Sequence, residues 1–564
     1  MTHSVKATSN SNNAFMLLLR RLHFYIGLFI GPFIFIASLT GMLYVITPSV
    51  EGWLYASTLK VVPHGTAKPL SEQVEAAKRA IHQPATLAAV RPAPSATDTT
   101  RVQFTQVGLG PSETRAIFID PYRLTVTGDY TVYGTSGILP FRTTLDHLHQ
   151  SLLLGNVGRA YSELAASWMW IAALGGLILW AASRQQQKLS TGKIPFSQRW
   201  HRRFGVVLLL GMLFLSATGI TWSQWAGDNV NQLRHAFGWL TPQVTAVVGV
   251  PPGPALMNAH AEHQALDMGS MPGMDMSQPS SIPQPTYFVA DNEWDRVLSE
   301  ARQSGIQAAK IEIRPPKDSH HTWTVTEINH RWPVQVDAVA MDPKTLAVID
   351  HVEFHDYPLL AKLTRWGVDA HMGLLFGWLN QLILALFALG LCTMIIMGYR
   401  QWWRRRPHPA DHSPAQTLSE AWRNCQIATR SIVIVFAALL SYALPVLGVS
   451  LVLFILIDIF RWKRALTMQH SPTDASSYNA TEQRKKKRNF IRGVIVIWLI
   501  TCTVMTRAII GGVIDEYHIP FTEWSGGMYM MQGMMIIIYT SVFTGLMSIP
   551  LWYFFLGESD PQGE

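Results

Sequence analysis

Four histidines carry the chemistry this chain can do. His23 opens residues 21–41, RLHFYIGLFIGPFIFIASLTG, and a shift of 178 residues lays that stretch on residues 199–219, RWHRRFGVVLLLGMLFLSATG, without a gap. Arg21, His23, Gly27, Ser38, Thr40 and Gly41 fall on Arg199, His201, Gly205, Ser216, Thr218 and Gly219. A second register, of 222 residues, carries Asp120 and Pro121 onto Asp342 and Pro343, Leu124 onto Leu346, His149 onto His371, Leu153 onto Leu375 and Gly155 onto Gly377. The histidines therefore form two repeat-related couples, His23 with His201 and His149 with His371. Two imidazoles facing each other inside a helical bundle can fill both axial positions of a b-type haem, leaving an iron that passes electrons and does not bind oxygen. One interior histidine is more often a packing or proton-relay residue; four in matched couples point to ligands. His147 lies two residues from His149, points elsewhere on a helix, and has Asp369 as its repeat partner.

The elements that must hold these residues are membrane spans. Each copy is long enough to cross a bilayer, which takes roughly 20 apolar residues. A histidine at that depth is costly and faces the protein interior. Basic clusters (Arg20 and Arg21, Arg199 to Arg203, Arg404 to Arg406, Arg461 to Arg464, Arg484 to Arg488) mark cytoplasmic span ends. They place His23 and His201 near the inner face and His149 and His371 near the outer one. Gly27, Gly31, Gly205 and Gly211 would let a macrocycle or a helix approach closely. The composition agrees: 48% of the 564 residues are hydrophobic, and the net charge of +8 is a topology signal at span ends, with no nucleic-acid partner implied. Three cysteines without CxxCH exclude covalent c-type haem. The N-terminal apolar run reads as a retained anchor, not a cleaved signal. With no GxGxxG or Walker A pattern there is no nucleotide or flavin site. Electrons would come from a separate cytoplasmic flavin reductase or from membrane quinol.

Between the first spans lies an α+β unit, with a helix over 70–81, strands over 100–107 and 114–120, and a turn at Asp120-Pro121. A second unit of the same kind covers 292–353. The architecture is span, α+β domain, histidine-led span, written twice, the repeats related by an axis along the membrane normal. Residues 431–460 are apolar and interrupted by Pro445, which reads as a hairpin of two short spans or as one tilted helix. Two further spans follow over 490–514 and 526–556. That makes eight spans with both termini cytoplasmic. Arg507, in mid-span, needs an anionic partner or a quinone oxygen.

HxxxG with SLTG or SATG, the DPxxxL turns and LHQSLLLGNVGR resemble the PepSY-associated transmembrane proteins over about residues 15–405. The resemblance implies a multi-span α-helical membrane protein with a duplicated core of spans and periplasmic PepSY-like domains (48–146 and 224–370), plus extra C-terminal spans. Members similar to this chain include inner-membrane reductases with two b haems that deliver electrons to ferric siderophores or related metal chelates. The resemblance makes His23 and His201 the inner ligands, and His149 and His371 the outer ones. PepSY domains also occur as protease-inhibitory modules, which leaves restraint of a periplasmic protease as a further reading.

A different chemistry is written in residues 257–276, MNAHAEHQALDMGSMPGMDM. Met257, Met268, Met271, Met274 and Met276 offer soft thioethers that favour Cu(I), and His260 and His263 accept either copper state. The alternative function is thus a copper-binding, cupric-reducing or copper-handling membrane protein; a methionine-rich linker would look the same. The second methionine cluster, from Met528 to Met535, reads as packing at the start of the last span.

Overall fold

The computed structural model describes residues 2–110, 112–187, 195–249, 292–404, 417–469, 480–517 and 520–556. The first span, Ala14–Val45, runs from within α1 (Thr2–Tyr25) through a π-helical turn, Ile26–Ile30, and α2 (Gly31–Val45). After α3 (Leu70–Ala80) come β1 (Ala85–Arg91), β2 (Thr100–Gln106), β3 (Glu113–Ile119) and β4 (Val126–Tyr133). Then follow α4 (Pro140–Ser151), α5 (Gly155–Gln187), α6 (Phe196–Val207) and α7 (Leu209–Thr221). The second unit holds α8 (Glu293–Gln303), β5 (Ile311–Arg314), β6 (Trp323–Glu327), β7 (Ala338–Met341) and β8 (Val348–Val352), and leads into α9 (Leu359–His371) and α10 (Trp378–Arg404). Later in the chain come α11 (Ile427–Ala443), α12 (Pro445–Gln469), α13 (Ala480–Tyr517) and α14 (Gly526–Leu556).

Among the described residues six helices are long and apolar enough to cross a membrane, and α6 with α7, bent by 59°, make a seventh such span. The shorter apolar helix α11 precedes α12, and the chain between them turns at Leu444, directly before Pro445. A proline at the first helical position has its fixed φ and loses no hydrogen bond there. Residues 431–460 are therefore two helices, not one. Gly448 lies so close to Ser441 that an added Cβ would come within 2.7 Å of the serine Cβ.

The two α+β units do not stand apart. Their strands join in one antiparallel sheet, ordered β4-β3-β2-β1-β5-β6-β7-β8, with Val90 of β1 opposite Ile313 of β5 at the seam. The 222-residue shift lays β5 to β8 on β1 to β4. Antiparallel pairing of equivalent strands places a twofold axis between them. Helices α3 and α8 pack on the same face of the sheet, around Val74, Trp294, Val297 and Trp323, so the axis is normal to it. Both turns close alike. Asp120 accepts from the Tyr122 and Arg123 amides, and Asp342 from those of Lys344 and Thr345. Leu124 and Leu346 then take left-handed φ values of 58° and 59°.

The histidine-led spans differ in detail from the sequence reading. His149 lies near the end of α4 and His371 ends α9, each on a short helix separated from the span that follows. Leu152 (φ 54°) and Leu153 (φ 57°) end the first of these, and their amides bond back to the Leu148 and His147 carbonyls. Gly155 and its register partner Gly377, at φ 53° and 60°, restart the chain in the next helix. Glycine pays no Cβ penalty in that region.

Candidate functional site

The fold brings the four histidines together as two couples. The His23 and His201 ring centres lie 6.4 Å apart, those of His149 and His371 6.5 Å apart. Each couple draws one member from each repeat. A metal bound at about 2 Å by one nitrogen of each ring would leave the centres roughly 6 Å apart, since the ring adds about 1 Å on each side. Among the described residues no group of three or more His, Cys, Asp or Glu side chains is gathered as a metal site. Each couple offers two imidazoles, the number that the axial positions of a planar prosthetic group can take.

The hydrogen bonds at the rings select a tautomer. Thr218 Oγ1 lies 2.6 Å from His371 Nδ1, and its repeat partner Thr40 Oγ1 lies 3.1 Å from His149 Nδ1. Both hydroxyls already donate to their own helices, to the Phe214 and Ile36 carbonyls. They are left to accept, so Nδ1 carries the proton and Nε2 is free to ligate. At the inner couple His201 Nδ1 bonds the Met394 carbonyl at 3.0 Å. Its counterpart is Ala172, 222 residues earlier, whose carbonyl His23 Nδ1 faces more loosely than a full hydrogen bond.

Glycines make room for three of the rings. A Cβ on Gly176 would sit 3.1 Å from His23, one on Gly398 3.4 Å from His201, and one on Gly41 3.0 Å from His149. Gly176 and Gly398 are again 222 residues apart. The sequence reading had looked to other glycines. Gly27 faces open space, Gly205 and Gly31 meet Met394 and Tyr399, and Gly211 lies under the Phe387 ring; none of these touches a histidine. Aromatic rings flank the outer couple symmetrically: Tyr44 stacks near His149 at 6.5 Å, and Trp222, its 178-residue partner, lies 5.3 Å from His371. His147 packs edge-on against Tyr133 at 4.7 Å, and Asp369 accepts from His330 at 2.8 Å, so neither belongs to a couple.

The couples stand at opposite ends of one bundle. His23 and Thr40, which bonds His149, are 17 residues apart, as are His201 and Thr218. Along the helical path that is about 25 Å, shortened in the second repeat by the 59° bend between α6 and α7, and of the order of the thickness of a hydrocarbon core. Between the levels Ile30, Ile34, Trp168, Met169, Leu208 and Met212 fill the interior.

Beyond the outer couple, between the bundle and the sheet face not covered by α3 and α8, opens a cavity of about 3570 Å³. His147, Gln150, Val368 and Leu374 line it next to the half-buried His149 and His371. Its wall carries thirteen Lys or Arg side chains against six Asp or Glu, so it attracts anions. Arg101 bonds the Gly137 carbonyl there, and burial with Arg91 beside it pulls its guanidinium down to about 9. Glu312 is buried, which alone would raise its carboxyl, but Arg91 and Arg314 hold it down at about 2.

The copper candidates Met257, His260, His263, Met268, Met271, Met274 and Met276 lie outside the described residues.

Comparison with known proteins divides the chain in two. The family described as "PepSY-associated TM region" matches residues 20–405. A second family, described as "Protein of unknown function (DUF2534)", matches residues 481–559. "Uncharacterized protein YnaJ" of Escherichia coli strain K12 is 47% identical over 75 residues, covering 13% of this chain and 88% of that protein, and its counterparts in strains O6:H1 and O157:H7 match equally. The long match holds all four histidines and both DPxxxL turns, and the chain belongs to the PepSY-associated TM region family.

Proposed function

We propose that the protein is a b-type cytochrome of the bacterial inner membrane that carries electrons outward to ferric iron held in a chelate, most directly a siderophore. One haem would be held by His23 and His201, the other by His149 and His371. The observation that carries this reading is the spacing of two facing imidazole couples at the two ends of one bundle. Bound there, haem supplies reversible one-electron chemistry.

The residues of the chain do the rest. Thr40, Thr218 and the Met394 carbonyl keep Nδ1 protonated and the Nε2 lone pairs aimed away from the helices that carry these acceptors. Trp168, Met212 and the aliphatic side chains around them exclude water between the two levels. The basic cavity gathers an anionic chelate next to the outer couple, and iron reduced there is held less firmly by hard oxygen ligands. Termini and basic span ends face the cytoplasm and the sheet faces the periplasm, which puts the inner couple next to a flavin reductase or membrane quinol as donor.

The test is the absorption spectrum of the protein expressed with haem supply. Reducible bis-histidine bands are expected, and His23→Ala and His371→Ala should each remove about half of the signal, a stoichiometry set by two independent ligand pairs. A well-expressed preparation without such bands would refute the reading.

A further inference from the structure

The C-terminal hairpin is built into the cavity. Helices α13 and α14 pack along each other and dock on the repeat core at both ends. At the outer end Met505, Ala508 and Ile509 bury against Leu152, Leu154 and Tyr161, on the turn that follows the His149 helix. A Cβ on Gly155 would lie 3.7 Å from the Gly512 Cα. At the other end Trp552 stacks on Trp403, 5.0 Å between centres and 7° between planes. Cys502, Thr503 and residues 506–514 of α13, Arg507 among them, line the cavity. Arg507 is exposed to it and has no hydrogen-bond or ion-pair partner among the described residues. A guanidinium at membrane depth is costly unless it meets an anion or a water-filled space. Here it meets the space in which the acceptor would sit.

We infer that the hairpin is a working wall of the ligand cavity, with Arg507 as the cation that binds the negatively charged oxygens of the chelate. The inference rests on the chelate-reducing reading above and deepens it. Residues 20–405 already carry both histidine couples, and what the hairpin adds to the cavity wall is a positive charge. Arg forks match planar paired oxygens such as those of a catecholate or carboxylate.

Equilibrium dialysis of the full chain tests this, with a ferric tricatecholate as the anionic probe and an uncharged ferric trihydroxamate as the control. Arg507→Gln should weaken binding of the anionic probe about tenfold, the scale of one charged contact, and leave the neutral probe unchanged. Arg507→Lys, which keeps the charge and loses the fork, should recover only part of the loss, and both variants should keep the wild-type absorption spectrum and midpoint potentials. Equal loss for both probes, or no loss for either, would overturn the inference. So would a shifted outer potential with unchanged chelate binding, because the cation would then serve a carboxylate of a bound cofactor. Dialysis reads binding, not reduction, so absence of haem bands in the wild type would sink the electron-transfer reading and still leave the role of Arg507 decided.

Discussion

Thr40 and Thr218 show how one hydroxyl can fix the behaviour of a ring. Each donates back into its own helix and so has only a lone pair to offer a histidine. Removing it frees the ring to turn and to change tautomer. With haem held by the outer couple as proposed, Thr218→Val should make it leave about 10- to 100-fold more readily, the usual cost of a lost supporting hydrogen bond. Thr218→Ser should behave as wild type, and titration of the apoprotein with haem would measure both. The inner couple has a steric counterpart. Gly176→Val places a branched side chain where the first Cβ already stands 3.1 Å from His23, so it should abolish the inner half of the signal and spare the outer half. The histidines were legible because both registers repeat them. Their supports were only half legible. SLTG and SATG were visible as a repeat, but which ring each threonine would meet depends on a helix crossing that no local pattern encodes. Gly176 and Gly398 stood on the same 222-residue register as the histidines and could have been found by following it through the spans.

At the scale of elements, the seam between β1 and β5 joins the two repeats, and Arg91 of β1 holds Glu312 of β5 across it at 2.6 Å. Glu312 keeps its charge in the folded sheet down to about 2. Its folded pKa lies below the unfolded one, so its stabilisation is complete above the unfolded value and is lost as pH falls toward 2. The depression is worth on the order of 3 kcal/mol. Fluorescence of Trp294 and Trp323, which pack edge to face 5.0 Å apart in the sheet core, should report a melting temperature that drops over that acid range. Glu312→Gln should flatten that drop and cost about 3–5 kcal/mol at neutral pH, because it leaves Arg91 charged and buried without its carboxylate. Strand and turn positions were readable from alternation and from the two DPxxxL turns. The fusion of both units into one sheet was not, because the seam pairs residues more than two hundred positions apart. The helical break before each span was hidden too: left-handed φ at Leu152 and Leu153 runs against the preference of leucine and is imposed by packing.

The whole molecule is a duplicated core with two appended hairpins, the second of which falls within the DUF2534 family match over residues 481–559. Its fit on the core makes a prediction at this scale. Ala508 is buried against the Leu154 and Tyr161 cluster, and Ala508→Trp would pry α13 from the outer end of the bundle. Thermal stability should fall by about 1–3 kcal/mol, the usual cost of overpacking, the proposed preference for anionic chelates should vanish, and the haem signal proposed for the inner couple should persist. Composition and hydropathy sufficed to place these helices in a membrane. That Arg507 opens on the cavity could not be read, since nothing in a lone span says which side faces the core.

Both couples take one histidine from each repeat, and that arrangement bears on how such a molecule could arise. A polypeptide of half this length would carry only one member of each couple and an unpaired β1 edge, a surface that seeks another strand. Two identical copies docked about a dyad would satisfy the edges and complete both couples at once, as an isologous homodimer does. Gene fusion would then have turned a self-complementary pair into a single chain, freeing each half to diverge and one cavity wall to be rebuilt by an added hairpin.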